Sequence, residues 1–128
     1  MLNERAIGIT MKLLNNGFWE EMARLGASKR VVIDRPSGTA HPNYPELIYP
    51  LDYGYIEGTL AANGDGIDVW IGSQGKHVLT GILCTFDTID KDAEIQLLLG
   101  CSEDDVETII NFLADMRTLY IPRPLEDK

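Results

Sequence analysis

The sequence predicts a mainly β domain, a small β-barrel with a helix near each end. Three observations carry this reading. Short alternating or β-branched runs recur through the middle of the chain, at Arg30 to Asp34, Asp52 to Glu57, Ile67 to Ile71, His77 to Phe86 and Glu94 to Leu99; half-buried strands have this pattern. Helical apolar spacing is confined to two segments, one near each end. Turn chemistry separates the runs, most clearly at Asn63-Gly64-Asp65-Gly66.

In chain order, Asn16 caps a short helix with Phe18, Met22 and Leu25 on one face, Trp19 beside them and Gly26 as its stop. After the first strand, residues 36–50 hold four of the six prolines. Proline lacks a backbone donor and restricts the residue before it, so this stretch cannot be helical. With Tyr44 and Tyr49 inside it, it reads as a long ordered loop. Residues 87–92 form an acidic turn. Ser102 then caps the last helix with Asp105 as its capping-box partner. Val106, Ile109, Ile110, Leu113 and Met116 recur at helical spacing and face the core. The tail from Ile121 is extended.

The 128 residues, 45% hydrophobic, suit one domain spanning residues 1–128, with a helical extension over about residues 1–28. Acids outnumber bases, 20 to 11, giving a net charge of −9. That balance repels a nucleic-acid backbone and excludes nucleic-acid partners. No run approaches a membrane span and no signal peptide is expected, so the chain is read as cytoplasmic, without a membrane partner. Cys84 and Cys101 match no zinc or disulfide spacing and read as buried free thiols. His41 and His77 have no partner at zinc-ligand spacing; His41 reads as a surface residue and His77 as a turn residue at the start of a strand.

The informative acids fall into two short groups, Asn63-Gly64-Asp65-Gly66-Ile67-Asp68 and Asp87-Thr88-Ile89-Asp90-Lys91-Asp92. Each adjoins a strand, which places both groups side by side at a barrel mouth. Magnesium takes carboxylate oxygens and water in an octahedron. Crowded carboxylates repel one another until a divalent cation lies between them. The calcium-loop pattern of an EF-hand is absent. From chemistry alone the groups suit either a magnesium site or ordinary acidic turns.

Taken together, Tyr49-Pro50-Leu51-Asp52-Tyr53-Gly54-Tyr55-Ile56 and Asn63-Gly64-Asp65-Gly66-Ile67-Asp68-Val69 resemble two signature segments of the soluble (family I) inorganic pyrophosphatases. The resemblance runs from about Val31 to Leu99 and marks a shortened, divergent member. It implies a small OB-like five-stranded barrel with helices. It also implies magnesium-dependent hydrolysis of inorganic pyrophosphate to two phosphates, in a homo-oligomer. By position, Asp65 matches the acid that activates the attacking water. Asp68 matches the acid bridging two metals, and Asp87 and Asp92 match a further metal-binding pair. Asn63 stands at the first signature acid, and Asp34 at a metal-associated glutamate. Tyr53 matches a tyrosine lining the site, while Asn43 and Tyr44 stand at a phosphate-binding lysine and a tyrosine.

This chain departs from that pattern at several positions. Asn63 keeps an oxygen but lacks a charge, and Gly66 replaces a proline. Glu94 stands where a phosphate-binding lysine belongs. Met116 and Arg117 stand at a tyrosine–lysine pair, of which Arg117 can still bind phosphate. An alternative alignment puts Asp34-Arg35 on an aspartate–arginine pair of a missing hairpin, which would make Arg35 the phosphate ligand. The alternatives to pyrophosphate hydrolysis are an enzyme acting on another phosphoanhydride or phosphate ester, and a non-catalytic metal- or phosphate-binding module. Self-association is expected through Phe18, Trp19, Met22 and Leu25.

Overall fold

The computed structural model describes residues 16–124. Helix α1 (Asn16–Ser28) is followed by strands β1 (Val31–Arg35), β2 (Asp52–Ile56), β3 (Ile67–Ile71), β4 (Leu79–Asp87) and β5 (Asp92–Leu99), helix α2 (Glu103–Phe112) and strand β6 (Arg117–Pro122). The first 15 residues of the expected N-terminal extension lie outside the described residues, as does the end of the tail.

The fold is mainly β with flanking helices, as the sequence predicts, but the sheet differs from a five-stranded barrel. Among the described residues it has six strands in the order β1-β2-β3-β5-β4-β6 and does not close. The sixth strand is the unforeseen element. Leu113 and Met116 extend the helical apolar spacing, yet α2 ends at Phe112 and Leu113 is its C-cap. Residues 117–122 instead pair antiparallel with β4, Ile82 opposite Ile121 and Thr85 opposite Thr118. A long partner strand with free ladder positions overrides the local helical pattern.

Each face of the sheet has its own core. Alternation along the strands sends Ile56, Val69, Ile82, Leu97 and Leu99 to one face, where Trp19 of α1 covers them. Trp70, Leu83 and Leu98 point to the other, against Tyr49 and against Val106 and Ile109 of α2. Gly26 does not stop α1. It sits inside the helix, where an added Cβ would lie 2.9 Å from a Leu99 methyl. Trp19 is 7% exposed and Met22 and Leu25 pack on the same core, so these residues are largely covered by the chain itself. What that face leaves exposed is Phe86, Ile95, Leu119 and Ile121.

The proline-rich loop is ordered as a hairpin-like excursion. Gly38 and Tyr49, His41 and Leu47, and Thr39 and Tyr49 exchange backbone hydrogen bonds around an Ala40–Ile48 bridge. It places Tyr49 in the core with His41 stacked on its ring, 6.0 Å between centroids.

The capping box at Ser102 does more than start a helix. Asp105 Oδ2 accepts from the backbone N–H groups of Ser102 and Ser73 and from the Ser73 hydroxyl, each at 2.9 Å. It thereby ties the loop after β3 to the start of α2. Burial pushes this carboxyl up, but the hydrogen bonds from Ser102 and Ser73 outweigh burial and hold it below its ordinary range. Its stabilisation is therefore present above the ordinary carboxylate pKa and is lost as pH falls through the depressed folded value. Asp105→Ala is expected to cost about 2–4 kcal/mol at pH 7. Urea unfolding should show the gap to wild type narrowing at strongly acid pH; an unchanged gap would refute the charge-assisted role.

Candidate active site at the head of the parallel strand pair

Among the described residues β3 and β5 are the only parallel neighbours in the sheet, with Asp68 opposite Gln96 and Ile71 opposite Leu99. Parallel strands start at the same end of a sheet. The turn before β3, with Asn63 and Asp65, and the turn before β5, ending at Asp92, therefore lie at one end. β5 starts earlier than β3, so its first residues overrun its neighbour. That overhang is exposed or half-buried, while Gln96 to Leu99 are buried. Asn63 reaches across to it, its Nδ2 donating to Glu94 Oε1 at 3.2 Å.

Register fixes which side chains share the α2 face. Tyr53 pairs with Trp70 and Tyr55 with Asp68. Thr85 pairs with Glu94 and Asp87 with Asp92. Paired residues point to the same face, and alternate residues along a strand do too. Tyr53, Asp68, Asp87, Asp92 and Glu94 therefore belong to one face. Arg117, opposite Phe86 on β6, points to the other face and is exposed. The structure does not bring Arg117 to Asp68.

β1 joins this face through a register shift between Ile33 and Arg35, after which Arg35 stands opposite Tyr53. A bulge of this kind redirects consecutive side chains. Both alternatives left open by the sequence meet here. Arg35 lies near enough to the Tyr49 hydroxyl to act on its ionisation, and the charge of Asp34 is felt by both Tyr49 and Asp68. Burial pushes the Tyr49 phenol up, with Arg35 pulling it back.

Asp68 is the centre of the cluster. Burial, followed by the neighbouring Glu94 and Asp34, pushes its carboxyl up to about 6, against the opposing hydrogen bond from Tyr53. Tyr53 itself is pushed far above its ordinary value by burial and then by Asp68, so it stays a hydroxyl donor. An aromatic cluster holds it there, with ring centroids 4.7 Å from Trp70 to Tyr53 and 4.8 Å from Tyr49 to Phe112. Trp70 is fixed in turn by an indole hydrogen bond to buried Gln96 at 2.7 Å.

The other candidates are more loosely placed. Asp65 is exposed, its backbone N–H bonded to Asn63 Oδ1 at 3.0 Å in a tight local turn. Asp87 Oδ1 accepts from the N–H groups of Ile89 and Asp90, capping its own turn. Asp92 is exposed beside it. Asn43 lies in the proline-rich loop, its N–H bonded to His41 Nδ1 at 3.0 Å. Among the described residues, no group of three or more His, Cys, Asp or Glu is gathered closely enough to hold a metal ion.

Two departures from the pyrophosphatase pattern have local physical causes. At Gly66 an added Cβ would sit 2.7 Å from the Tyr55 ring, so the tyrosine occupies the space that a proline ring would need. Asn63 and Glu94 are a matched pair: an amide donates to the carboxylate, where an aspartate would repel it. Single replacement of Asn63 by aspartate is expected to destabilise the fold by about 1 kcal/mol, and Glu94→Lys made with it to recover that loss. A double-mutant cycle with no coupling between the two positions would refute the pairing.

Glu94 as an Asp68 partner, and the Arg35–Tyr49 contact, escape sequence reasoning. The signal for the first is the period of two from Asp92 to Glu94 to Gln96. The second depends on a bulge that no residue type announces.

No family model matches the chain, and no curated protein sequence matches it. Among solved structures, an inorganic phosphatase from Anaplasma phagocytophilum is similar at 16% identity and a TM-score of 0.43, covering 72% of this chain and 81% of that one. An inorganic pyrophosphatase from Coxiella burnetii is similar at 15% identity and a TM-score of 0.51, covering 73% of this chain and 84% of that one. This second likeness places the chain on a pyrophosphatase-like scaffold, a fold shared without close sequence kinship.

Proposed function

We propose that the protein is a magnesium-dependent phosphoanhydride hydrolase of the inorganic pyrophosphatase type, acting on pyrophosphate with Asp68 at its centre. The observation that carries this is the convergence of Tyr53, Asp68 and Glu94 at the head of the parallel strands, on a scaffold similar to a pyrophosphatase. Two neighbouring carboxyls, Asp68 and Glu94, form a hard oxygen donor set, and a divalent cation would relieve their repulsion. Magnesium commonly needs only one or two protein carboxylates, with substrate phosphate and water filling the octahedron. The residues present suit such an ion better than a many-liganded cage, with Asp68 and Glu94 holding it and Asn63 fixing Glu94.

When bound, the metal would neutralise the charge of the diphosphate and polarise its phosphoryl oxygens. Asp65, exposed on the turn before β3, is assigned to orient the attacking water and take its proton. Tyr53 donates to Asp68 and holds its carboxylate in place. Arg35 is the cation nearest this face and is assigned to phosphate, with Asn43 on the neighbouring loop. Asp87 and Asp92 lend negative potential to the end of the sheet where β5 begins, and Asp34 adds its charge from β1 to Asp68.

The test is phosphate release from pyrophosphate with and without magnesium, in wild type and in Asp65→Asn and Asp34→Asn. Asp65→Asn should lower turnover by about 10²-fold while magnesium still binds. Asp34→Asn should cost much less. Equal, small losses would remove the acids from catalysis. No magnesium-dependent release in wild type would favour the binding-module reading. No helix among the described residues is long and apolar enough to cross a membrane, and a cytoplasmic homo-oligomer remains part of the proposal. Sedimentation showing only monomer at micromolar concentration would remove the oligomer.

A further inference from the structure

β6 is the last strand in the sheet order, and among the described residues its outer side has no neighbour. The backbone shows which residues face that side. Arg123 N–H donates to the Thr80 carbonyl at 3.0 Å, in line with the unshifted register of β6 on β4. Opposite residues in an antiparallel pair alternate between hydrogen-bonded and non-bonded. Arg117, Leu119 and Ile121 therefore turn their backbone groups to β4, while Thr118 and Tyr120 turn theirs outward. Pro122 has the same parity as these two, so β4 loses no donor to it. On the α1 face the edge is apolar: Leu119 is 59% exposed, with exposed Ile121, Phe86 and Ile95 around it. The opposite edge of the sheet differs. β1 is blunted by its bulge and by the charges of Asp34 and Arg35, whereas β6 has no bulge.

An apolar edge without a bulge is a template for a further strand. We infer that a second copy of this chain supplies it, the two β6 strands pairing antiparallel about a two-fold axis at Leu119. Thr118 of each copy then exchanges backbone hydrogen bonds with Tyr120 of the other, and Leu119 meets Leu119. Charge selects this register. It carries Asp115, exposed in the turn before β6, toward Arg123 of the second copy. An axis at Tyr120 would set Arg117 against Arg123 instead, and like charges directly opposite repel. An axis at Thr118 would set apolar Ile121 against Asp115. A surface that complements itself in this way is what a symmetric dimer requires. It gives the proposed homo-oligomer an interface and does not depend on the hydrolysis assigned to the acids.

The experiment is sedimentation of the full chain at micromolar concentration, wild type beside Leu119→Lys and Thr118→Pro. Wild type should be a dimer. Leu119→Lys replaces the central apolar contact with facing like charges and should raise the dissociation constant at least ~30-fold. Thr118→Pro removes a donor that β4 does not use, so this variant should fold and be monomeric. A cross-link tests the register. Cys84 stands opposite position 119 on β4, so the background is Cys84→Ala. In it, Leu119→Cys should form a disulfide between copies on mild oxidation, since facing residues of a non-bonded pair lie about 4.5 Å apart at Cα. Ile95→Cys, exposed on the same face but on β5, inside β4 and β6, should not. A monomeric wild type would overturn the inference, leave the edge to a strand of another protein and remove the proposed homo-oligomer with it. A dimer indifferent to both variants, or lacking the Leu119→Cys disulfide, would overturn the inference and leave the oligomer standing on another surface.

Discussion

Gly54→Ala is expected to destabilise the protein by about 3 kcal/mol or more, and with it the whole candidate site. An alanine Cβ at this position would lie 1.8 Å from the Val32 carbonyl oxygen, 2.8 Å from its carbon and 2.9 Å from Ile33 Cα. All three are backbone atoms, so no rotamer change relieves the clash. Relief requires β1 to move off β2, which breaks the pairing of Val32 with Tyr55 and of Ile33 with Gly54. The loss is large against a total stability of roughly 5–15 kcal/mol. β1 also carries Asp34 and Arg35 to the site through its bulge, so phosphate affinity should fall together with stability. Urea unfolding and phosphate titration on the same sample test both consequences. A variant as stable as wild type would mean that β1 has another seat on the sheet.

The same glycine shows what the sequence could and could not disclose. The Tyr-Gly-Tyr of the second strand was readable as a signature, and its neighbours Tyr53 and Tyr55 do fall on the α2 face with Trp70 and Asp68. Strand alternation, the Ser102 capping box and the turn at Asn63 are local properties, written in adjacent residues. The failures are all long-range. β6 forms because β4 offers it a partner, which outweighs the apolar spacing of Leu113 and Met116. The sheet remains open because β1 and β6 are not paired. Arg117 sits on a strand where the sequence reading had the end of a helix, and the strand's parity turns it to the other face. Glu94 read as a missing lysine; only the overhang of β5 shows that it answers Asn63 and Asp68.

The second large effect is expected at Asp68, and it should run in opposite directions for activity and stability. The half-buried carboxyl is pushed up to about 6 from the usual carboxylate range by burial and then by Glu94 and Asp34. A folded value above the unfolded one means that ionising Asp68 disfavours the fold. The cost is absent below the unfolded pKa and is complete once pH has risen through the folded value. An amide in place of the carboxyl removes that cost and keeps the contacts, since its oxygen accepts from Tyr53 and its nitrogen donates to Glu94. Asp68→Asn should therefore unfold later than wild type at pH 8, by about 1 kcal/mol after allowing for its partial exposure. The difference should shrink toward pH 4. Magnesium affinity and pyrophosphate turnover should fall in the same variant, turnover by about 10²-fold or more, because the central metal-facing charge is gone. Thermal unfolding at the two pH values, beside magnesium titration and phosphate release, measures the trade. A variant less stable than wild type at pH 8 would show that the carboxylate serves the fold, and Asp68 would then lose its place at the centre of the site.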